Sequence, residues 1–227
     1  MTAPSATNPL GNPTYPGWTA ANGPNWVDYL TVKYNASKVL TYNLAYGGAT
    51  MNSALVAPWK PEVSSIADQV ESQWLPTYAS KQVAWTSSDT LFAIFDGIND
   101  VGNSWWYGVP ATTTLNSVIF ANYHGLINTL YYAGARNFAM LNVPPVDRSP
   151  LAMLNSAADQ ATEKADIAAW NAAVVSLAQA LKTEKPDVNI FVVDANKYFT
   201  QVLDKPSTYK QTASYKNTTA YCTDYAK

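Results

Sequence analysis

Short apolar runs that alternate with long amphipathic stretches predict an α/β protein, a parallel sheet with helices on both faces. Three observations carry this. Four short runs, Val39–Ala45, Leu91–Phe95, Asn137–Val143 and Val188–Val193, are dominated by apolar side chains and closely followed by Gly, Pro or Asp. Between the later runs lie long segments whose apolar residues recur every three to four positions. Hydrophobic residues make up 48% of the 227, which suits a single domain, residues 1–227, with a large core, and rules out a disordered chain.

Residues 1–24, rich in Pro, Gly, Asn and Thr without period, read as a loop. A helix starts near Gly23-Pro24-Asn25, with Trp26, Leu30 and Tyr34 as its apolar face. Val39–Ala45 is a strand that ends at Gly47-Gly48. Residues 61–75 are helical, with Val63, Ile66, Val70 and Trp74 on one face, and stop before Pro76, which disfavours helical geometry in the residue ahead of it. Leu91–Phe95 has no polar alternation and reads as a strand buried on both faces. Thr112–Ala133 is a long helix closing at Gly134. Asn137–Val143 is a strand ended by Pro144-Pro145. Asn155–Thr183 is a helix with Ile167, Trp170, Val174, Leu177 and Leu181 along one face. Val188–Val193 is a buried strand, and Ala195–Leu203 a short helix. From Asp204 the chain turns polar, and no repeat or linker divides it.

Composition narrows the function. Charged residues are only 13%, the formal net charge is −2 and no basic run occurs, so a nucleic-acid partner is not expected. No apolar run reaches the ~18 residues of a membrane span, and Met1–Thr7 lacks the basic and apolar regions of a signal peptide. An aromatic-rich, weakly charged surface, with 15 Tyr and 8 Trp, suits carbohydrate contact and also extracellular proteins in general. Two glycosylation triplets occur, Asn35-Ala-Ser37 and Asn217-Thr-Thr219. Cys222 is the single cysteine, either an incidental thiol or half of a pair whose partner lies beyond Lys227.

Two polar motifs stand at predicted strand C-termini, where open α/β sheets bind ligands. In Asn43-Leu-Ala-Tyr-Gly-Gly-Ala-Thr50 a strand runs into two glycines, whose bare backbone can aim N–H groups into a site. This is an oxyanion donor, a phosphate cradle, or only a tight turn. In Gly97-Ile-Asn-Asp100 the Asn99 amide can donate to an oxyanion and Asp100 can orient it, or the motif is an Asx turn closing a strand. Trp105-Trp106-Tyr107 follows at once, as a platform for a sugar ring or acyl group or as a hydrophobic clamp on the loop. Asp100, Trp105, Trp106 and Tyr107 are therefore the candidate substrate-binding residues.

Together these blocks resemble the GDSL/SGNH hydrolase family. Gly48 matches its oxyanion glycine block and Asn99 its oxyanion asparagine block. The wider wording is similar to that of fungal secreted carbohydrate esterases of the acetylesterase kind: Tyr15-Pro-Gly-Trp18, Gly23-Pro-Asn-Trp26, Gly97-Ile-Asn-Asp-Val-Gly-Asn-Ser-Trp-Trp106 and Asn142-Val-Pro-Pro-Val-Asp-Arg-Ser-Pro150. The resemblance implies a three-layer α/β/α flavodoxin-like parallel sheet. It also implies Ser-His-Asp hydrolysis of small acyl esters or acetylated carbohydrate, by a secreted monomer with no cofactor and no membrane partner. The match departs in one respect. The family's nucleophile sits in a Gly-Asp-Ser block after the first strand and its Asp and His in a late Asp-x-x-His block; neither pattern occurs here. We expect a chain trimmed at both ends, without its first strand, its nucleophile or its base, and inactive as it stands. The resemblance also makes Cys222 half of a disulfide.

No other residues replace that machinery. His124, the single histidine, falls mid-helix, far from the strand tips, and reads as structural. Thr50 and Ser53 lie near the glycine turn without a base. Asp147 and Asp194 follow strands and border the pocket or simply close the strands. One His and one Cys do not make an ordinary metal site, so no metal is expected. The runner-up is a glycan-binding pseudoenzyme or fragment; a nucleotide binder is excluded because no Gly-x-Gly-x-x-Gly or Gly-x-x-x-x-Gly-Lys occurs.

Overall fold

The computed structural model describes residues 3–11, 19, 23–79 and 85–220. The Tyr15–Trp18 motif and Cys222 lie outside the described residues. The chain divides into two compact units, Met1–Gly47 and Gly48–Lys227.

In the first unit, helix α1 (Trp26–Asp28) starts where the sequence predicts. Asn25 Oδ1 accepts from the Val27 and Asp28 N–H groups at 2.9 and 3.2 Å, and the Asp28 carboxylate accepts the Asn25 N–H at 2.7 Å. This reciprocal box uses N–H donors that have no partner within the helix. A wider π-type turn, Tyr29–Lys33, continues it. The expected apolar face is not the buried one: Trp26, Leu30 and Tyr34 are exposed, whereas Asp28 and Thr31 are buried. Thr31 Oγ1 reaches both the Val27 carbonyl at 2.7 Å and Thr41 Oγ1 at 2.6 Å, so hydrogen bonds turn the polar side inward. Val39–Ala45 is not a strand. A strand needs a neighbour to close its ladder, and here the Thr41 N–H goes to the Pro9 carbonyl at 2.8 Å instead.

The second unit holds the sheet. Among the described residues it has three parallel strands in the order β1 (Leu91–Phe95), β2 (Asn137–Leu141), β3 (Asn189–Val193), one fewer than the sequence predicts. Leu91 pairs with Asn137, which pairs with Asn189, and Phe95 pairs with Leu141, which pairs with Val193. The crossovers are α3 (Val109–Tyr132) and α4 (Ala157–Glu184), close to their predicted spans. Right-handed crossovers that progress one way across a sheet lie on the same face. Phe138, Met140 and Ile190 share one face and are buried there. Leu91 and Phe191 point the other way and are 54% and 58% exposed. Neither β1 nor β3 is therefore buried on both faces. Among the described residues β1 and β3 stand at the two edges of the sheet, and apolar content alone does not report which face a helix covers.

A π-type helix, Asp68–Ala79, packs Trp74 edge-on to Phe92 at 5.3 Å, and Trp85 joins the same cluster. Its Val70 and Trp74, with the preceding Val63 and Ile66, are buried as predicted. The helix does not stop at Pro76 but runs through it. It starts from a box in which Ser65 Oγ and the Ser65 N–H both donate to the Asp68 carboxylate. In α4, Ile167, Trp170, Val174, Leu177 and Leu181 are all buried. α5 (Ala195–Asp204) is capped by Asp194, which accepts the Lys197 N–H at 3.0 Å.

Candidate functional site

The site grows from the C-terminal end of β1. Asp96 leaves the strand, Gly97 turns the backbone with φ +106°, and a short helix α2 (Ile98–Gly102) follows where the sequence suggested an Asx turn. Only glycine suits the turn twice over. The left-handed φ strains other residues, and a Cβ at Gly97 would overlap the indole of the buried Trp170 on α4. Gly48 repeats the arrangement, with φ +91° and the Trp59 indole where a Cβ would stand.

The two motifs meet in space. Asn99 Nδ2 donates to the Ala49 carbonyl at 2.9 Å, which brings the Asn99 amide to the Gly48 turn. The amide has two N–H groups; this contact uses one. Among the described residues the Gly48 N–H has no hydrogen-bond partner. Asp100 is buried, 1% exposed, and both its carboxylate oxygens accept the Met51 N–H at 3.1 Å. Asn103 Nδ2 adds a bond to the Ala57 carbonyl at 3.1 Å. The 48–57 loop and the 97–104 loop are thus joined by three side chains of α2 and its end. Ser104 Oγ closes the loop by donating to the Asp100 carbonyl at 2.7 Å.

Asp100 therefore points into the protein and Trp106 and Tyr107 point out of it. The latter two are 55% and 59% exposed and meet edge-to-face at 5.9 Å. Trp105 is half-buried, its ring edge-on to Trp106 at 5.8 Å. Two of the three rings thus offer exposed aromatic surface.

The electrostatics concentrate on two carboxyls. Burial, then the Asp100 charge and hydrogen bond, hold Asp96 well above the usual carboxylate range. Burial raises Asp100 to about 6, with the Met51 N–H and Asp96 pulling it back. Burial and the Asp96 charge push the Tyr123 phenol up.

The remaining candidates lie elsewhere or are already engaged. Thr50 is buried and its hydroxyl donates to the Val56 carbonyl at 2.9 Å. Ser53 is exposed in the adjoining turn. His124 Nε2 meets Glu184 Oε2 at 2.8 Å, and Asn128 bonds its Nδ1 at 3.1 Å. Because Glu184 ends α4, His124 sits toward the edge where β3 begins, opposite the strand tips. Asp194 caps α5 and accepts from Asn142 Nδ2 at 2.9 Å. Asp147 is buried and its carboxyl is raised by that burial. No group of three or more His, Cys, Asp or Glu suited to a metal occurs among the described residues, and none of the described helices is long and apolar enough to cross a membrane. Trp59, Met51 and Asp96 were not singled out from the sequence, and Trp170 was placed only on the apolar face of its helix. No local motif marks Trp59, Met51 or Trp170 as part of the site; Asp96 had one signal, a carboxylate where a strand ends.

Comparison with known proteins shows the family. The sequence profile of the GDSL-like Lipase/Acylhydrolase family matches residues 6–226. The chain is 41% identical over 211 residues to an acetylesterase of Thermothelomyces thermophilus, covering 92% of this chain and 69% of that protein. It is 26% identical over 186 residues to the thermolabile hemolysin of Vibrio parahaemolyticus, covering 82% of this chain and 40% of the hemolysin.

Proposed function

Because the chain belongs to the GDSL-like lipase/acylhydrolase family and has its α/β fold of parallel sheet and flanking helices, we propose that it carries the oxyanion half of an acyl-ester hydrolase site. In this reading the Gly48 N–H and the second N–H of the Asn99 amide hold the oxygen that becomes negative when a nucleophile attacks an ester carbonyl. One observation carries it. The Asn99 amide is pinned by the Ala49 carbonyl at 2.9 Å, beside a Gly48 N–H with no partner among the described residues. Donors fixed before the reaction stabilise developing charge without reorganising, each contributing about 10²–10³ in rate.

The substrate class is a small acyl ester, with acetylated carbohydrate favoured by the exposed Trp106 and Tyr107 and by the acetylesterase relative. The same relative, the exposed Asn217 triplet and the weakly charged composition favour a secreted, glycosylated protein.

The 227 residues contain no Gly-Asp-Ser and no Asp-x-x-His, and His124 is engaged with Glu184. Taken by itself, then, this stretch has no turnover. p-Nitrophenyl acetate tests it. The purified chain matches the buffer rate; turnover that a serine-directed inhibitor abolishes would refute the inactivity. In an enzyme that also carries the family's Gly-Asp-Ser and Asp-x-x-His segments, Asn99→Ala loses about 10²–10³ in kcat, and an unchanged kcat removes Asn99 from the oxyanion hole. A second reading, glycan binding without hydrolysis, rests on the exposed Trp106–Tyr107 pair. Titration with an acetylated oligosaccharide, with Trp106→Ala as the control, decides it.

A further inference from the structure

Two carboxyl groups at the end of β1 have no cation among the groups acting on them. Asp96 is 7% exposed and Asp100 1%. Asp96 stands four residues before Asp100, where β1 runs into α2, and the two carboxyls act on each other. Two neighbouring carboxylates in a dry site do not both ionise, because neither the repulsion nor the lost hydration is compensated. One of them can donate to the other only if it keeps its proton, since ionised carboxylates only accept.

The surroundings say which one holds it. The Met51 N–H approaches both oxygens of Asp100 equally, at 3.1 Å, as a donor meets a delocalised carboxylate. Asp96 has no comparable donor: its Oδ2 is buried without a partner. From α3 the Tyr123 phenol faces Asp96, neutral and itself buried. From α4 the Trp170 indole covers the adjoining Gly97.

We propose that Asp96 and Asp100 are one proton-sharing pair, Asp96 the acid and Asp100 the carboxylate, and that this pair braces the Gly48–Met51 turn against the Asn99 loop. The brace rests on the oxyanion reading of Gly48 and Asn99, and both aspartates are positioning residues within it. The acid donates to Asp100, Asp100 accepts from Met51, and Met51 lies three residues from Gly48. Asn99 is the immediate neighbour of Asp100, so the carboxylate sets the separation of the two oxyanion donors from behind. A buried acid does this without a surface counter-ion, which would open the site to water. Burial raises both groups, while their contact raises Asp96 and lowers Asp100, the direction the pair requires.

The test reads protons and needs no turnover, so it stands apart from the hydrolase assay: an inactive full-length enzyme with an intact pair would overturn only the proposed function. The chain is labelled at aspartate carboxyl carbons and examined by NMR at pH 7, as wild type, Asp96→Asn and Asp96→Leu. Wild type shows a protonated aspartate carboxyl resonance that is missing from Asp96→Asn. The Met51 amide exchanges as slowly in Asp96→Asn as in wild type, because the Asn amide still donates to Asp100. In Asp96→Leu it exchanges at least about tenfold faster, the loss equivalent to one charge-assisted hydrogen bond. The proposal is overturned if every aspartate is ionised at pH 7, if the protonated resonance survives in Asp96→Asn, or if Asp96→Leu leaves Met51 exchange unchanged. Should Asp96→Leu not fold, the wild-type and Asp96→Asn spectra decide alone.

Discussion

Adding one methyl group to Gly97 tests how the site loop is held. The residue sits at φ +106°, where an L side chain is strained by about 1–3 kcal/mol. The new Cβ would also collide with the Trp170 indole. That ring has little room to retreat, being 1% exposed and stacked edge-on to Phe120 at 4.8 Å. Overpacking in such a place costs about 1–3 kcal/mol. The sum, about 2–6 kcal/mol, is a large part of the ~5–15 kcal/mol that holds a domain together. Gly102 is the matched control: it lies in the same short helix, with no atom within 4 Å of an added Cβ. Gly102→Ala is expected to be neutral or stabilising by up to about 1 kcal/mol. Urea unfolding of wild type, Gly97→Ala and Gly102→Ala, followed by circular dichroism, measures both. If Gly97→Ala stays within ~0.5 kcal/mol of wild type, or if the two variants are equally damaged, the argument from φ and the Trp170 contact is wrong.

Stability should fall as pH rises. Asp96 and Asp100 are raised in the folded state, so folding takes up protons. Their contribution is complete below the unfolded carboxylate range, about pH 4, and is lost as pH rises through the folded values, about 6 for Asp100. The exposed Glu184 and Asp187 are lowered and act in the opposite sense, weakly. Subtracting the urea-midpoint profile of Asp96→Asn isolates the pair, and a wild-type profile no steeper than the variant's would contradict it. Asn171 supplies a third test. Its amide accepts the Val143 N–H at 2.8 Å and donates to the Val143 carbonyl at 2.9 Å, taking up the backbone just past β2. Asn196 also donates to that carbonyl, so Asn171→Ala orphans the buried N–H above all. The expected loss is about 1–3 kcal/mol, or roughly 2–12 °C in Tm by scanning calorimetry; an unchanged Tm would show that water replaces the amide.

The amphipathic faces of α4 and of the helix around Trp74 were legible in the sequence, because helical period is a property of a few consecutive residues. So were the motifs around Gly48 and Asn99, since the glycine pair and the Asn-Asp pair are each adjacent in the chain. The fate of Val39–Ala45 was not legible. Its composition is that of a strand, yet a strand exists only with a partner, and its Thr41 N–H turns to Pro9. The buried face of α1 was misjudged for a related reason: hydrogen bonds from Thr31 outweighed the apolar spacing of Trp26, Leu30 and Tyr34.

The site divides along the same line. By itself the sequence determined the family, the two motifs around Gly48 and Asn99 that the proposed function uses, and the want of a nucleophile motif. Only the tertiary structure decided that Asp100 turns inward to Met51, 49 residues earlier, while Trp106 and Tyr107 turn outward. It also set the indoles of Trp59 and Trp170 over the two glycines. The physical reason is range: propensity, period and turn chemistry act between neighbours, whereas burial, close approach and the sharing of a proton depend on residues that only folding brings together.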